Sequence, residues 1–282
     1  MGQSFFPYPP TFLLLTLPLA WTSLSVAYFA WVGLSAAAIV GSLRRLLAPL
    51  VLLVPIVFLS ETNGQTSLFM GACVFGAAGL HRRPILAGVL LGLAACIKPQ
   101  VVVLVPIVLM AAGRWRMLFS AGVTGLAVCA IATLVYGVHA WLDWLNMLPQ
   151  WLRINDAWWT GRYLALPGIW KVPALVLGSG AAVFAVRRGR FEAGVFIALA
   201  AAFLGSLHAM DYDEAILAPF AIAAGLARRW WGLAYAAALL APASAWSVLA
   251  LGVLAIVDVT VGRLGADEDK GLAIIRPTEA AR

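Results

Sequence analysis

Long apolar stretches separated by short polar connections dominate the pattern of hydrophobic and polar positions along the chain. About 20 apolar residues in a helix cross the hydrocarbon core of a bilayer, and shorter stretches are typical of broken or re-entrant helices. The pattern predicts an all-α, polytopic membrane protein of eleven transmembrane or re-entrant helices. They are Leu24–Leu43, Leu46–Ser60, Thr66–Leu80, Pro84–Ile97, Val101–Gly113, Met117–Gly137, Leu166–Val186, Glu192–Leu207, Glu214–Ala227, Trp231–Ala243 and Ala245–Gly262.

The remaining segments flank or interrupt these helices, so residues 1–262 are predicted to form a single membrane domain. Residues 1–23 contain an apolar stretch too short to span, which we expect to be a half-helix broken near Pro18. Residues 138–165 carry tryptophans and leucines at helical spacing and predict an amphipathic segment at the outer surface. Residues 263–282 are polar enough for a cytoplasmic tail.

Arginines occur in every second connection, which predicts the orientation of the helices. Because cytoplasmic connections are enriched in Lys and Arg, we place these clusters and the C-terminus in the cytoplasm and the protein in the plasma membrane. The clusters are Arg44–Arg45, Arg82–Arg83, Arg114/Arg116, Arg187/Arg188/Arg190 and Arg228–Arg229. The alternate connections, on the predicted outer side, collect Glu61, Asp143, Asp156, Asp211 and Asp213.

Composition agrees with a membrane protein and excludes several other classes. Of the 282 residues, 63 % are hydrophobic and 11 % charged, which excludes a soluble domain, a disordered chain and a collagen-like fibre. The net charge of +7 is scattered in short clusters, so it does not indicate nucleic-acid binding. The three cysteines lack the spacing of a zinc or redox site, and we predict neither a metal nor a cofactor.

Lys98 is an ionisable residue between two apolar stretches, directly before Pro99. An ionisable group at membrane depth is usually paired or lines an aqueous path. A lysine beside the start of the next helix is a credible phosphate site, whereas a lysine that snorkels to the interface is the structural alternative.

Two other outer segments carry candidate substrate-binding groups. Asn63-Gly64-Gln65 is either a tight turn or a polar lip on a cavity, where Gln65 would bond a sugar hydroxyl. Tyr8, within a proline-rich entry to a helix, is either an interfacial tyrosine or part of the same surface.

The densest group of polar residues follows the apolar stretch that ends at Leu207. His208, Asp211, Tyr212 and Asp213 stand close together in sequence at the outer end of two predicted helices. One aspartate could cap the following helix, and a histidine beside carboxylates is typical of a proton relay or a phosphate contact.

Several short motifs, in this order, resemble glycosyltransferase family 87 of the GT-C superfamily, whose members use polyprenyl-phosphate sugars. The resemblance runs from about residue 5 to about residue 225. The matching motifs are Tyr8-Pro9-Pro10, Pro18-Leu19-Ala20, Asn63-Gly64-Gln65, Leu86-Ala87-Gly88…Gly92…Lys98-Pro99, Arg114-Trp115-Arg116 and His208…Tyr212-Asp213.

The resemblance implies transfer of mannose or a related sugar from a polyprenyl phosphate to a hydroxyl of a lipid or glycan acceptor, within membrane lipids. It implies catalytic roles for His208 and Asp213. It also implies substrate contacts from Lys98, Gln65, Asn63, Tyr8, Asp211 and Tyr212.

One departure from the family leads to a further expectation. The superfamily places its catalytic aspartate in a first outer loop before the Tyr-Pro-Pro element, and the seven residues before Tyr8 contain no acid. We therefore expect the 282-residue chain to be truncated and inactive or severely impaired. The alternative functions are a membrane transporter or lipid flippase, for which broken helices and a buried lysine are also typical, and a non-catalytic scaffold.

Overall fold

A computed structural model of the chain describes residues 8–42, 47–80, 82–158, 164–206, 209–227 and 232–261, with the backbone alone at 47–48 and 154–158. The described residues form α-helices and short 3-10 turns, with no β-strand among them. The helices are α1 (Pro10–Thr16), α2 (Leu24–Ser42), α3 (Leu47–Leu52), α4 (Pro55–Thr62), α5 (Ser67–Gly79), α6 (Pro84–Ile97), α7 (Pro99–Val102), α8 (Val105–Ala111), α9 (Trp115–Trp158), α10 (Lys171–Arg187), α11 (Phe191–Gly205), α12 (Ala218–Ala227), α13 (Gly232–Leu240) and α14 (Ala245–Val261).

Two predicted helices are divided in the structure. The predicted helix Leu46–Ser60 is interrupted before Pro55, whose missing N–H and ring favour the start of a new helix. The predicted helix Val101–Gly113 is likewise divided into α7 and α8, again with a proline near the start of each part. Within residues 1–23, α1 gives way to the 3-10 turn Leu17–Trp21, which contains Pro18.

Three segments among the described residues are long and apolar enough to cross a membrane: Leu24–Ser42, Trp115–Arg153 and Gly168–Arg187. Seven shorter apolar helical segments of 10–17 residues accompany them. The all-helical, membrane-type class is therefore confirmed, but the number of eleven spanning or re-entrant helices is not.

The long helices surround a centre of short helices. In each long segment, less than a fifth of the apolar 18-residue stretch that could cross the membrane is buried inside the protein. In contrast, α5 and α11 are buried along most of their length, with α2 and α6 against α5, and α10 and α14 against α11. The short helices therefore form the interior of the molecule, and the long helices lie on its outside.

Two glycines bring α6 and α9 into close contact. A Cβ at Gly88 would lie 2.5 Å from the Ser120 Cβ, and one at Gly92 would lie 2.6 Å from the Thr124 Cβ. Small residues at such positions allow helix backbones to approach closely in a membrane. The Ser120 hydroxyl reinforces the contact by donating a hydrogen bond of 2.8 Å to the carbonyl of Ile85.

A glycine also ends the spanning part of α9. Gly137 has φ 77° and ψ 168°, a backbone conformation outside the helical region that side chains disfavour. It divides the helix where the sequence predicts the end of the span Met117–Gly137 and the start of the amphipathic segment 138–165. That segment is helical as far as Trp158.

The two ends of α6 define the two ends of the bundle. Arg83 precedes its first residue and Lys98 follows its last. We call the end that carries Arg82, Arg83, Arg114, Arg116, Arg187 and Arg188 the arginine end, and the opposite one the Lys98 end. The sequence predicts that the arginine end faces the cytoplasm.

Candidate functional site

Lys98 occupies a break between two consecutive helices. Its backbone is extended, with φ −139° and ψ 82°, as is typical of a residue before proline. Pro99 begins α7. The Thr11 hydroxyl donates a hydrogen bond of 2.5 Å to the carbonyl of Cys96, in the last turn of α6. The break therefore holds the Lys98 side chain inside the bundle, where the residue is only 8 % exposed.

Asp213 is the charged partner of Lys98. The Lys98 Nζ lies 2.5 Å from the Asp213 Oδ1, and both side chains are buried. The Ser67 hydroxyl donates to the same oxygen at 2.8 Å, and the backbone N–H of Met210 donates to Oδ2 at 3.1 Å. Both oxygens of Asp213 are thus engaged, as a buried carboxylate requires.

Two tyrosine rings flank the Lys98 ammonium group. Its Nζ lies 5.4 Å from the centre of the Tyr8 ring and 5.1 Å from that of Tyr212. Both distances are within the range of cation–π attraction. An ammonium group carries three protons, so the contact with Asp213 leaves capacity for a further anionic or hydroxyl ligand.

Tyr8 also ties the N-terminal segment to the connection between α4 and α5. Its hydroxyl donates a hydrogen bond of 3.2 Å to the Gln65 Oε1 and lies 3.4 Å from the Thr66 Oγ1. The Trp31 indole donates to the backbone carbonyl of Gln65 at 3.2 Å. The structure therefore brings together Tyr8, Gln65, Lys98, Tyr212 and Asp213, from four distant parts of the chain, and we call these five residues the Lys98 cluster.

Asn63 occupies a different position. It is exposed, and its side-chain amide donates to the carbonyl of Leu59 at 2.7 Å, which caps the end of α4. Gly64 follows with φ 62°, and its N–H donates to the carbonyl of Glu61 at 2.9 Å. Asn63-Gly64 is therefore a tight turn, and Gln65 alone of this motif reaches the Lys98 cluster.

Asp211 and His208 complete the predicted set. Asp211 is buried, and its Oδ1 accepts the backbone N–H of Tyr212 at 2.9 Å, at the start of the 3-10 turn Asp211–Ile216. His208 lies outside the described residues. No group of three or more His, Cys, Asp or Glu residues within the described ranges is arranged to hold a metal ion.

Two buried glutamates near this cluster were not among the predicted site residues. The carboxylate oxygens of Glu61, in the last turn of α4, have no hydrogen-bond partner in the described part of the chain. Glu214 accepts a hydrogen bond of 2.9 Å from the Ser247 hydroxyl on one oxygen, and its other oxygen has no partner within the described ranges. Their position at the outer ends of predicted helices was visible in the sequence, but burial was not.

Burial changes the acidity of Glu61. The residue lies in the last turn of α4, outside the three long apolar segments, and α4 packs against the 3-10 turn Asp211–Ile216. Desolvation raises the pKa of its carboxyl from 4.5 to about 7. The charge of Asp213 is balanced by Lys98. Glu61 has no such cation among the described residues, and with its raised pKa its carboxylate is basic enough to accept a proton near neutral pH.

Comparison with known proteins supplies the family. The sequence model described as glycosyltransferase family 87 matches residues 5–207. No curated protein and no solved structure matches the chain significantly. The family match covers all the suspected motifs except His208…Tyr212-Asp213, which follow its last residue.

This match decides between the classes of function that the sequence left open. A match to a glycosyltransferase family indicates that the chain is an enzyme rather than a transporter, a flippase or a non-catalytic scaffold. Since the match extends over more than half of the 282 residues, the chain belongs to glycosyltransferase family 87.

Proposed function

We propose that this glycosyltransferase transfers mannose or a related sugar from a polyprenyl phosphate to an acceptor hydroxyl at the Lys98 end. The observation that carries the proposal is the buried Lys98–Asp213 ion pair, flanked by two tyrosine rings. A buried cation with unused hydrogen-bonding capacity suits a leaving phosphate, because charge develops on that phosphate in the transition state. The acceptor is a lipid or glycan in or beside the membrane.

In the proposed reaction the acceptor oxygen attacks the anomeric carbon of the donor. The bond between that carbon and the phosphate oxygen breaks, and the polyprenyl phosphate leaves with the bonding electrons. Lys98 stabilises the departing phosphate. Asp213 acts as a positioning residue because it fixes the ammonium group while both its own oxygens stay engaged.

The proton of the acceptor hydroxyl requires a base. Glu61 fits this role because its carboxylate is buried, has no hydrogen-bond partner among the described residues, and has a pKa raised to about 7. We assign His208 to proton transfer or phosphate contact. Tyr8, Gln65, Asp211 and Tyr212 are assigned to substrate contacts, and Asn63 to the turn that ends α4.

The experiment uses the full chain in proteoliposomes. Radiolabelled polyprenyl-phosphate mannose, glucose and arabinose are offered separately with an acceptor glycolipid fraction, and nucleotide-activated mannose serves as the competing donor class. We expect label from at least one polyprenyl-phosphate sugar in the acceptor. Lys98→Ala should reduce transfer by roughly 10²-fold or more.

Lys171→Ala is the matched control, since Lys171 begins α10 and takes no part in the cluster. Transfer from the nucleotide sugar alone, or equal transfer by the Lys98 and Lys171 variants, would contradict the proposal.

A further inference from the structure

The arginine end contains a cavity that the proposed reaction does not use. Its volume is about 410 Å³, and it is lined by Pro84, Gly113, Arg114, Trp115, Arg116 and Met117. The volume is within the range of roughly 300–1,000 Å³ that small-molecule sites occupy. The cavity lies where α6 and α9 begin side by side, held together through Gly88 and Gly92.

The charge around this cavity is positive. Arg116 is exposed in its lining, and the exposed Arg82 and Arg83 directly precede Pro84 in the chain. Arg114 is engaged elsewhere: its guanidinium lies 3.8 Å from the centre of the Phe191 ring and interacts with the carboxylate of Glu192. Arg116 is therefore the lining arginine best placed to meet an anionic ligand.

An apolar stripe runs along α9 from the same arginine. Phe119, Val123 and Leu126 follow Arg116 at intervals of three and four residues, and all are exposed. Residues at this spacing lie on one face of a helix. A free phosphate ion would make no contact with this apolar stripe. A phospholipid would place its anionic headgroup at Arg116 and an apolar chain along the stripe.

We propose that the cavity at Arg116 binds the phosphate headgroup of an anionic phospholipid, with an acyl chain along Phe119, Val123 and Leu126. The half-exposed Trp115 also lines the cavity, and tryptophan is typical of the level of lipid headgroups. The proposed lipid site lies at the end of α6 opposite Lys98, so its test does not depend on the proposed sugar transfer.

Native mass spectrometry of the purified full chain tests this binding. Phosphatidylglycerol and phosphatidylcholine are titrated separately, and we expect phosphatidylglycerol to be retained preferentially. Arg116→Gln should weaken its binding by about fivefold, the effect of one arginine near an anionic surface. Phe119→Ser should weaken retention of the lipid as well, because the acyl chain loses its apolar contact.

Arg187→Gln is the control, because Arg187 is exposed at the same end but does not line this cavity. Equal loss in the Arg187 and Arg116 variants would show diffuse charge attraction and overturn the proposal. Equal retention of the two lipids would overturn it too. A thermal-shift series with inorganic phosphate separates the sources: stabilisation equal to that by phosphatidylglycerol would indicate a free-anion site instead of a lipid site.

Discussion

The two ends of α6 handle charge in opposite ways. At the Lys98 end the ammonium group is buried, paired with Asp213 and flanked by tyrosine rings. At the arginine end the side chains of Arg82, Arg83 and Arg116 are exposed. Exposed arginines remain solvated and are typical of cytoplasmic connections, whereas a buried ion pair carries a desolvation cost that is often not recovered. The contrast therefore indicates that the Lys98 end is the one whose charged groups serve the chemistry.

The largest effect should follow from removing one member of the buried pair. Lys98→Met leaves the Asp213 carboxylate buried beside Ser67 without its cation, which should lower the free energy of unfolding by about 3–5 kcal/mol. Chemical denaturation in detergent measures this loss. The double variant Lys98→Met/Asp213→Asn should recover much of the stability but none of the transfer.

The matched change at the arginine end is Arg83→Gln. Arg83 is exposed, so its replacement should change stability by less than about 0.5 kcal/mol. If Lys98→Met costs no more than Arg83→Gln, the Lys98 end is not distinguished by its burial and the comparison fails.

Glu61→Gln should separate stability from activity. Because the folded-state pKa of Glu61, about 7, exceeds its ordinary value of 4.5, the folded protein holds this proton longer than the unfolded chain. The stability contributed by this group is thus present below pH 4.5 and is lost as pH rises to about 7.

The expected difference between Glu61→Gln and the wild type follows from that sign. The two proteins should have similar stability near pH 4.5, and the variant should be more stable above pH 7 by an amount on the order of 3 kcal/mol. Transfer should fall by roughly 10²–10⁴-fold, as for loss of a general base. If the free energies of unfolding of Glu61→Gln and the wild type differ by a constant amount from pH 4.5 to 8, Glu61 does not titrate as a buried group.

Tyr8 provides a smaller test of the Lys98 end. Tyr8→Phe removes the hydrogen bond to Gln65 but keeps the ring beside Lys98, so we expect a loss of about 1 kcal/mol. Tyr8→Leu also removes the cation–π contact and should cost about 0.5–2 kcal/mol more. Thermal unfolding of the two variants measures the difference, and identical values would exclude a contribution from the ring.

The smallest effect is expected at Arg187. It lies in the last turn of α10 and is exposed, so Arg187→Gln should leave both unfolding and sugar transfer unchanged, within about 0.5 kcal/mol for stability. A larger loss, measured in the same denaturation assay, would show that exposed arginines have structural roles and would weaken the contrast between the two ends.

Local patterns in the sequence predicted the helices well where apolar stretches end at prolines or glycines. The bounds Pro84–Ile97 are confirmed as predicted, because Pro84 and Pro99 punctuate both ends of α6. The division of Leu46–Ser60 was missed, although Pro55 signalled it. Family membership was also predictable, from motifs that lie within matched residues 5–207.

Contacts between distant segments could not be predicted in this way. Lys98 stood out because it interrupts an apolar run, but nothing local identifies Asp213, 115 positions away, as its partner. Asn63 belongs to a characteristic motif, yet it caps α4 while Gln65 reaches Tyr8. Glu61 was visible as an acidic residue, but its burial depends on how α4 packs against the 3-10 turn.

The length of α6 has a consequence for where sugar chemistry takes place. Its 14 residues, at about 1.5 Å each, extend about 21 Å from the arginine end. A bilayer's hydrocarbon core is about 30 Å thick. If Arg83 lies at one boundary of that core, Lys98, 15 positions later, lies about 7 Å or more short of the opposite one. In the proposed transfer, the donor's phosphate would then enter the bundle while its polyprenyl chain stays in the surrounding lipid, and the acceptor hydroxyl would have to reach the phosphate at that depth.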